Sequence, residues 1–428
     1  MRQGIWTGVL LVLVAGLSRV AAGPPAEEKV RAILEEVSAD RLRSDVEALV
    51  GFHTRHTGSR TDSETEGIGA ARQWIYDRFL EAKRESGGRL DVEFDKFTAG
   101  NERIEEMEMW NVVATLPGAT DPDRFYVVGG HYDSRVSDVT NATAFAPGAN
   151  DDGSGTAVVL ELARVLGRHT FDATLVFIAF VGEEQGLLGS THWAGWAQES
   201  GLFVDGMITN DIVGNSHGGN GIFDDQSLRC FAFSKEGVDS PHRQLCRAAR
   251  QAAARFLPGF TVRMIYRHDR FGRGGDHIPF IRAGFPAVRF SEPNEDYTRQ
   301  HQDVRKEGEV QYGDLTEFVD FDYTARVARV NAAVLATLAA APRPPREVRQ
   351  TGAVQNDTTL SWKANTEKDL AGYTIRWRAT DQPMWEHEAF VPKARTSHVL
   401  KNVSIDNFFF GVSAVDTAGN ESRVSFPQ

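Results

Sequence analysis

From Thr174 to Val181 the chain reads TLVFIAFV, an apolar run without the polar alternation of a half-exposed strand. Such a run fits a strand covered on both faces, which places a layer of helices above and below it. A cluster of glycines and acids, Gly182-Glu183-Glu184-Gln185-Gly186, follows at once. The same order recurs along the chain. Phe125 to Val128 is a short apolar strand running into Gly129-Gly130-His131, and Met207-Ile208 leads into a strand ending near Asp211. Between these strands the apolar spacing turns helical, over Gly155 to Leu166 and Gly186 to Gln198, and Val327 to Leu338 closes the region as a helix. Strands alternating with helices predict an α/β sheet with helices on both faces.

Before this region, Glu27 to about Gly100 reads as helical. Val30, Ile33, Leu34 and Val37 share one face, and Ala71, Trp74, Ile75 and Phe79 share another. The stretch from Phe52 to Ser59 between them has the Thr/Gly/Ser content of a loop. After it, Ala341-Pro342-Arg343-Pro344-Pro345 has the composition of a stiff linker. Beyond the linker the pattern changes to short alternating strands, as in Leu360-Ser361-Trp362 and Tyr373 to Arg378, which predicts a small β-sandwich. The order of Trp362, the strand Gly372-Tyr373-Thr374-Ile375-Arg376-Trp377 and the segment Val412 to Asn420 resembles a fibronectin type III domain. The expected division is therefore a signal peptide over 1–22, a catalytic region over 23–341, a linker over 342–346 and a sandwich over 347–428.

The signal peptide is read from Met1-Arg2, the apolar run Val9 to Leu17 and the small residues before Gly23. The run is shorter than the ~20 residues of a spanning helix, so cleavage and export are expected, to the periplasm or the outside of the cell. Cys230 and Cys246 are the only cysteines. Export favours a bridge between them, with two buried thiols as the alternative. A formal net charge of -12 disfavours a general nucleic-acid partner, whose footprint would be basic.

The polar clusters carry the chemistry. They are Gly129 to Ser134, Pro147 to Gly155, Gly182 to Gly186, Asn210-Asp211 and Tyr297 to Asp303. Three of them cap predicted strands, and in open α/β sheets the site lies outside the carboxyl ends of the strands. Two histidines and several carboxylates brought together there form an N/O donor set suited to zinc.

Taken in order, Gly-Gly-His-Tyr-Asp-Ser, Ala-Asn-Asp-Asp-Gly-Ser-Gly, Gly-Glu-Glu-Gln-Gly-Leu-Leu-Gly-Ser and Asn-Asp resemble the di-zinc aminopeptidase family, which includes bacterial leucyl aminopeptidases and glutamate carboxypeptidases. The resemblance spans roughly Glu27 to Ala341. It implies a mixed central sheet with helices on both faces, of the zinc-exopeptidase type, followed here by the small all-β sandwich. It also implies two zinc ions per chain, with His131 and Asp211 on one, Glu184 and His301 on the other, and Asp151 between them. Glu183 would be the general base, and Asp133 would accept a hydrogen bond from the free ring nitrogen of His131. The activity implied is a secreted metallo-aminopeptidase acting on peptides.

Other readings compete at several positions. Asn150-Asp151-Asp152-Gly153 is also good turn and helix-cap chemistry, so the ligand assignment to Asp151 is open by one residue. His301 has rivals in His268 and His277. Arg270 or Arg273 would hold a substrate carboxylate in a carboxypeptidase, the main alternative. A non-catalytic binding protein on a peptidase fold is the alternative from another class, and the complete ligand set argues against it. The sandwich is expected to be a spacer or a surface for a polymer or protein partner.

Overall fold

The computed structural model describes residues 24–234 and 239–427. The expected signal peptide lies outside the described residues. Three helices come first, α1 (Pro24–Glu35), α2 (Ala39–Val50) and α3 (Gly67–Glu85). The apolar faces read from the sequence are buried together: Val30, Ile33, Leu34, Ile75 and Phe79 belong to one core. The helical reading runs too far, however. Residues 91–101 form the strand β1 (Asp91–Asn101), paired antiparallel with β2 (Ile104–Leu116). Gly87-Gly88 stops the helix. After it, Val92 and Phe94 alternate with exposed Asp91 and Glu93, so the period that counts is two.

The central sheet is completed by β3 (Asp121–His131), β4 (Ala173–Phe180), β5 (Phe203–Asn210), β6 (Ser227–Phe231), β7 (Thr261–Ile265) and β8 (Ala287–Ser291). Its order is β1-β2-β4-β3-β5-β8-β6-β7. The four middle strands β4, β3, β5 and β8 run parallel, and antiparallel pairs flank them on both sides. The helices are α4 (Gly153–Gly167), α5 (Leu188–Glu199), α6 (Pro241–Phe256), α7 (His277–Arg282) and α8 (Phe321–Ala339). Alternate residues of β3 enter different cores. Tyr126 and Val128 join the core built with α4 and α8, while Val127 joins a second core with Trp193 of α5 and Phe280 of α7. That is the covered-on-both-faces arrangement, and β4 is buried at all its positions. The chain leaves β3 toward β4 on one side and later returns to β5 on the other, so the carboxyl end of β3 is the topological switch point.

A small hairpin, β9 (Arg305–Glu307) and β10 (Val310–Tyr312), precedes α8. After α8 come β11 (Arg346–Thr351), β12 (Thr358–Lys363), β13 (Leu370–Ala379), β14 (His387–Pro392), β15 (Ser397–Leu400) and β16 (Phe408–Asp416). They form two three-stranded antiparallel sheets, β11-β12-β15 and β14-β13-β16. Leu360, Trp362, Tyr373, Ile375 and Val412 pack between them. Trp362 meets the edge of Tyr373 with ring centroids 5.1 Å apart and belongs to the sandwich core.

The sandwich is anchored to the amino ends of the central strands, opposite the switch point. Arg124 of β3 donates to the carbonyls of Ala341 and Pro342 at 2.6 and 3.0 Å. Arg423 pairs with Asp205, near the start of β5, at 2.8 Å, and Arg247 of α6 donates to Pro383 O at 2.7 Å. Four of the five residues from Ala341 to Pro345 are buried, all but Arg343. Cys230 and Cys246 are both buried and both free, so no bridge joins them. No helix among the described residues is long and apolar enough to cross a membrane.

Candidate metal centre

Four segments meet at the switch point. His131 is the last residue of β3, Glu183 and Glu184 follow β4, Asp211 follows β5, and Asp151 precedes α4. His301 arrives from the loop before β9. Close packing at this crossing depends on Gly155, where a Cβ would stand 2.1 Å from Asn210 O and 2.5 Å from the Asp152 carboxylate. The turn after β4 passes through Gly182 at φ 73°. Three residues with side chains also take positive φ beside the cluster: Leu187 at 62°, Ile212 at 60° and His301 itself at 55°. Left-handed backbone at such residues is uncommon, and it concentrates where function holds it.

The two acids of the Asp151-Asp152 pair face opposite tasks. Asp151 Oδ1 lies 3.2 Å from His131 Nε2, and its Oδ2 lies 2.9 Å from His301 Nε2. Asp152 instead accepts three main-chain N–H groups, from His131 at 3.0 Å, Gly155 at 3.0 Å and Ile212 at 3.3 Å. It ties together the ends of β3 and β5 and the first turn of α4, which is the cap reading. Asp151 is left for the site.

Glu184 Oε1 lies 3.0 Å from His301 Nε2, and Asp211 Oδ1 lies 3.9 Å from His131 Nε2. Three donor sets result: His131 with Asp151 and Asp211, Asp151 with Glu184 and His301, and His131 with Glu183 and Glu184. In each, the donor atoms lie within 4.8 Å of one another. His131 Nε2 and Glu184 Oε1 are buried and make no hydrogen bond, despite neighbours at hydrogen-bond distance. Buried N and O atoms without a hydrogen-bond partner are what a ligand set for a cation leaves. Burying this many carboxylates also calls for a cation, because unpaired buried charge is costly. Burial pushes the Glu183 carboxyl well above the usual carboxylate range, with Asp211, Glu184 and Asp276 adding to the push and His131 opposing it. The residues therefore fit a divalent metal with N and O ligands.

Asp133 differs in detail from the expectation. The His131 Nδ1 contact to the Asp133 main-chain carbonyl is 3.1 Å, and the one to its carboxylate is 3.5 Å. The carboxylate is drawn away by the main-chain N–H groups of Glu183 and Glu184, at 3.2 and 3.1 Å. The rival histidine His277 is buried elsewhere, 2.9 Å from His268 O.

The centre floors a cleft of about 410 Å³ that Arg103, Arg135, Arg270 and Arg273 also line. Arg270 bonds Asp269 at 3.0 Å, Glu295 at 3.3 Å and Gly274 O at 2.9 Å. Arg273 pairs with Glu295 at 2.7 Å.

Several supporting residues carry no signal in the sequence. Arg55, wholly buried, donates to the carbonyls of Tyr132, Leu49, Pro147 and Gly148. Asp314 accepts the N–H of Asn150 and of Asp151. Arg289 pairs with Asp211 at 2.8 Å, and Gln300 donates to Asp151 Oδ2 at 2.9 Å. Only Gln300 had a clue, as the neighbour of His301.

Fold and centre together define a metal-dependent hydrolase. Residues 111–321 match the profile of peptidase family M28. A probable zinc metalloprotease of Pyrenophora teres f. teres is 42% identical over 424 residues, covering 94% of this chain and 87% of that one. The chain belongs to peptidase family M28 and is a zinc metallopeptidase. Among solved structures, the Legionella pneumophila LapA aminopeptidase superposes with a TM-score of 0.54 at 20% identity, over 73% of this chain and 75% of that one. Porphyromonas gingivalis glutaminyl cyclase does so with a TM-score of 0.53 at 22% identity, over 70% and 98%. At these identities the likeness is one of fold, and the same fold serves more than one named reaction.

Proposed function

We propose that the protein is an exported exopeptidase that hydrolyses N-terminal peptide bonds with two zinc ions. His131 and Asp211 would hold one ion, Glu184 and His301 the other, and Asp151 would serve both. The observation that carries this reading is the Asp151 carboxylate, whose two oxygens face the two histidines from opposite sides. Zinc held there would act as a Lewis acid on the scissile carbonyl and make water acidic near neutral pH.

The chain's own residues supply the rest. Glu183 is partly buried with an edge on the cleft, whereas Glu184 is buried, so Glu183 is the one placed to meet substrate. It takes a proton from the attacking water as the new C–O bond forms. It returns that proton to the nitrogen as the C–N bond breaks, serving as base and then acid. Asp133 holds the Glu183 and Glu184 main chain and so fixes the direction of both side chains. The carboxypeptidase reading would draw on Arg270, whose guanidinium is already committed to protein partners. The strand order of the C-terminal sandwich supports the fibronectin type III reading, with a spacer or partner-binding role. Export to the periplasm or beyond rests on residues 1–22 alone.

The test pairs free and N-acetylated peptides, with metal content measured on the same sample. Cleavage of the free-amine peptide alone, abolished when about two zinc ions per chain are removed by chelation, is the expected outcome. Cleavage of the acetylated peptide from its carboxyl end would move the assignment to a carboxypeptidase.

A further inference from the structure

We infer that Arg103 and Arg135 form a subsite for a substrate carboxylate, so that the enzyme selects acidic substrates over neutral ones. The inference rests on the exopeptidase reading above and specifies its substrate class. Leu187 is the single apolar side chain lining the cleft among the described residues. A site for leucine-like side chains would bury apolar surface against apolar walls, and here the walls are guanidinium groups and glycine backbone.

The charges can be followed pair by pair. Asp151, Glu183, Glu184 and Asp211 face the metal positions, and two divalent cations would offset them. Arg270, Arg273 and Arg229 share Glu295, while Arg289 and Arg270 share Asp269. Arg103 and Arg135 form no ion pair among the described residues. Neither guanidinium is bonded to a carboxylate, although Arg135 lies near enough to Asp138 to help lower its carboxyl, and a cationic group so placed in a cleft attracts and retains an anion.

Both side chains also bond main-chain carbonyls beside the cleft. Arg103 sits at the tip of the β1–β2 hairpin, whose Asn101 donates to Gln185 O at 2.6 Å, and Arg103 Nη1 reaches Glu184 O at 3.4 Å. Arg135, four residues beyond His131, donates through Nε to Val136 O at 2.9 Å and through Nη2 to Ser137 O at 2.8 Å. These bonds use part of each guanidinium and leave further N–H groups for a ligand. A planar guanidinium matches the geometry of a carboxylate and can grip it with two parallel N–H groups. The carboxylate has two sources, the side chain of an N-terminal Asp or Glu and the terminal α-carboxylate of a very short peptide.

The experiment measures kcat/KM of the zinc-loaded full-length enzyme on Glu- and Leu-p-nitroanilide, and on Leu-Gly as free acid and as amide. Arg103→Ala and Arg135→Ala are run beside the wild type. The expected result is a preference of about tenfold or more for Glu over Leu anilide, or for the acid over the amide, the pair that responds naming the source. In both variants that preference falls by about tenfold while the neutral substrate changes little. Equal or better turnover of the neutral member of both pairs overturns the inference and leaves the aminopeptidase reading standing. So does an equal loss on acidic and neutral substrates in the variants. No hydrolysis of any free-amine substrate overturns the aminopeptidase reading, and this inference with it.

Discussion

Glu183 and Glu184 are adjacent in the chain, yet only Glu184 is turned toward His301, and Glu183 is left at the cleft. The division follows from Gly182 and from the Asp133 carboxylate, which grips both main-chain N–H groups. Glu183→Gln keeps the shape and removes the proton acceptor. Its kcat should fall by about 10²–10⁴-fold with metal content unchanged, measured by steady-state assay and elemental analysis. Arg55 acts one step behind the site. Its four donors hold the carbonyls of the loop that carries Asp151, together with those of Tyr132 and Leu49. Arg55→Met leaves those acceptors buried and unpaired, so denaturant unfolding should show a loss of at least about 3 kcal/mol. Zinc affinity, read by competition with a chelator dye, should weaken with it. Both residues lie in segments singled out by the sequence, but their meaning differs. The Glu-Glu pair was readable from its glycine flanks after an apolar strand, whereas Arg55 looked like one more polar loop residue.

At the scale of elements, the carboxyl ends of β3 and β5 and the start of α4 are held to one another by Asp152, which accepts a main-chain N–H from each of these three segments. Helix α6 is keyed to β8 in a similar way. His242 Nδ1 accepts the Ala287 N–H at 3.0 Å, and burial lowers the imidazole to about 4. His277, Arg423 and His268 nearby push it the same way. The sign of the linkage follows. Above the ordinary value of 6.5 the ring is neutral folded and unfolded, and it adds no pH dependence. As pH falls from 6.5 toward about 4, the unfolded chain takes up a proton that the folded chain refuses, and stability declines. His242 should account for a loss of up to about 3 kcal/mol across that window. Unfolding free energies measured at several pH values should show a shallower acid limb for His242→Gln than for the wild type. The period of the apolar residues made most of these elements legible. It failed at β1, where two-residue alternation in a charged edge strand was absorbed into the preceding helices.

For the whole molecule, the sandwich closes the end of the catalytic domain away from the metal centre. Asp205 is buried between Arg423 at 2.8 Å and the Tyr126 hydroxyl at 2.6 Å. Arg423→Ala leaves that carboxylate without its cation, which should cost about 3 kcal/mol of stability. Thermal unfolding should register the change while kcat/KM stays near wild type, because the contact sits at the amino ends of the strands. The linker composition did not disclose this docking, since proline content reports local stiffness and says nothing of what the segment packs against. Nor could the sequence decide between a bridge and two thiols at Cys230 and Cys246, a matter of geometry between β6 and α6. What the sequence determined by itself was the α/β class, the change to a sandwich after Pro345 and the short set of clusters from which the centre is drawn. Those depend on local periodicity and on motifs written contiguously in the chain. Which acid of Asp151-Asp152 faces the histidines, which histidine joins from the last loop, and which cleft arginines form no ion pair were decided only by the tertiary structure. Each of these depends on how distant segments cross, and no short-range pattern encodes that.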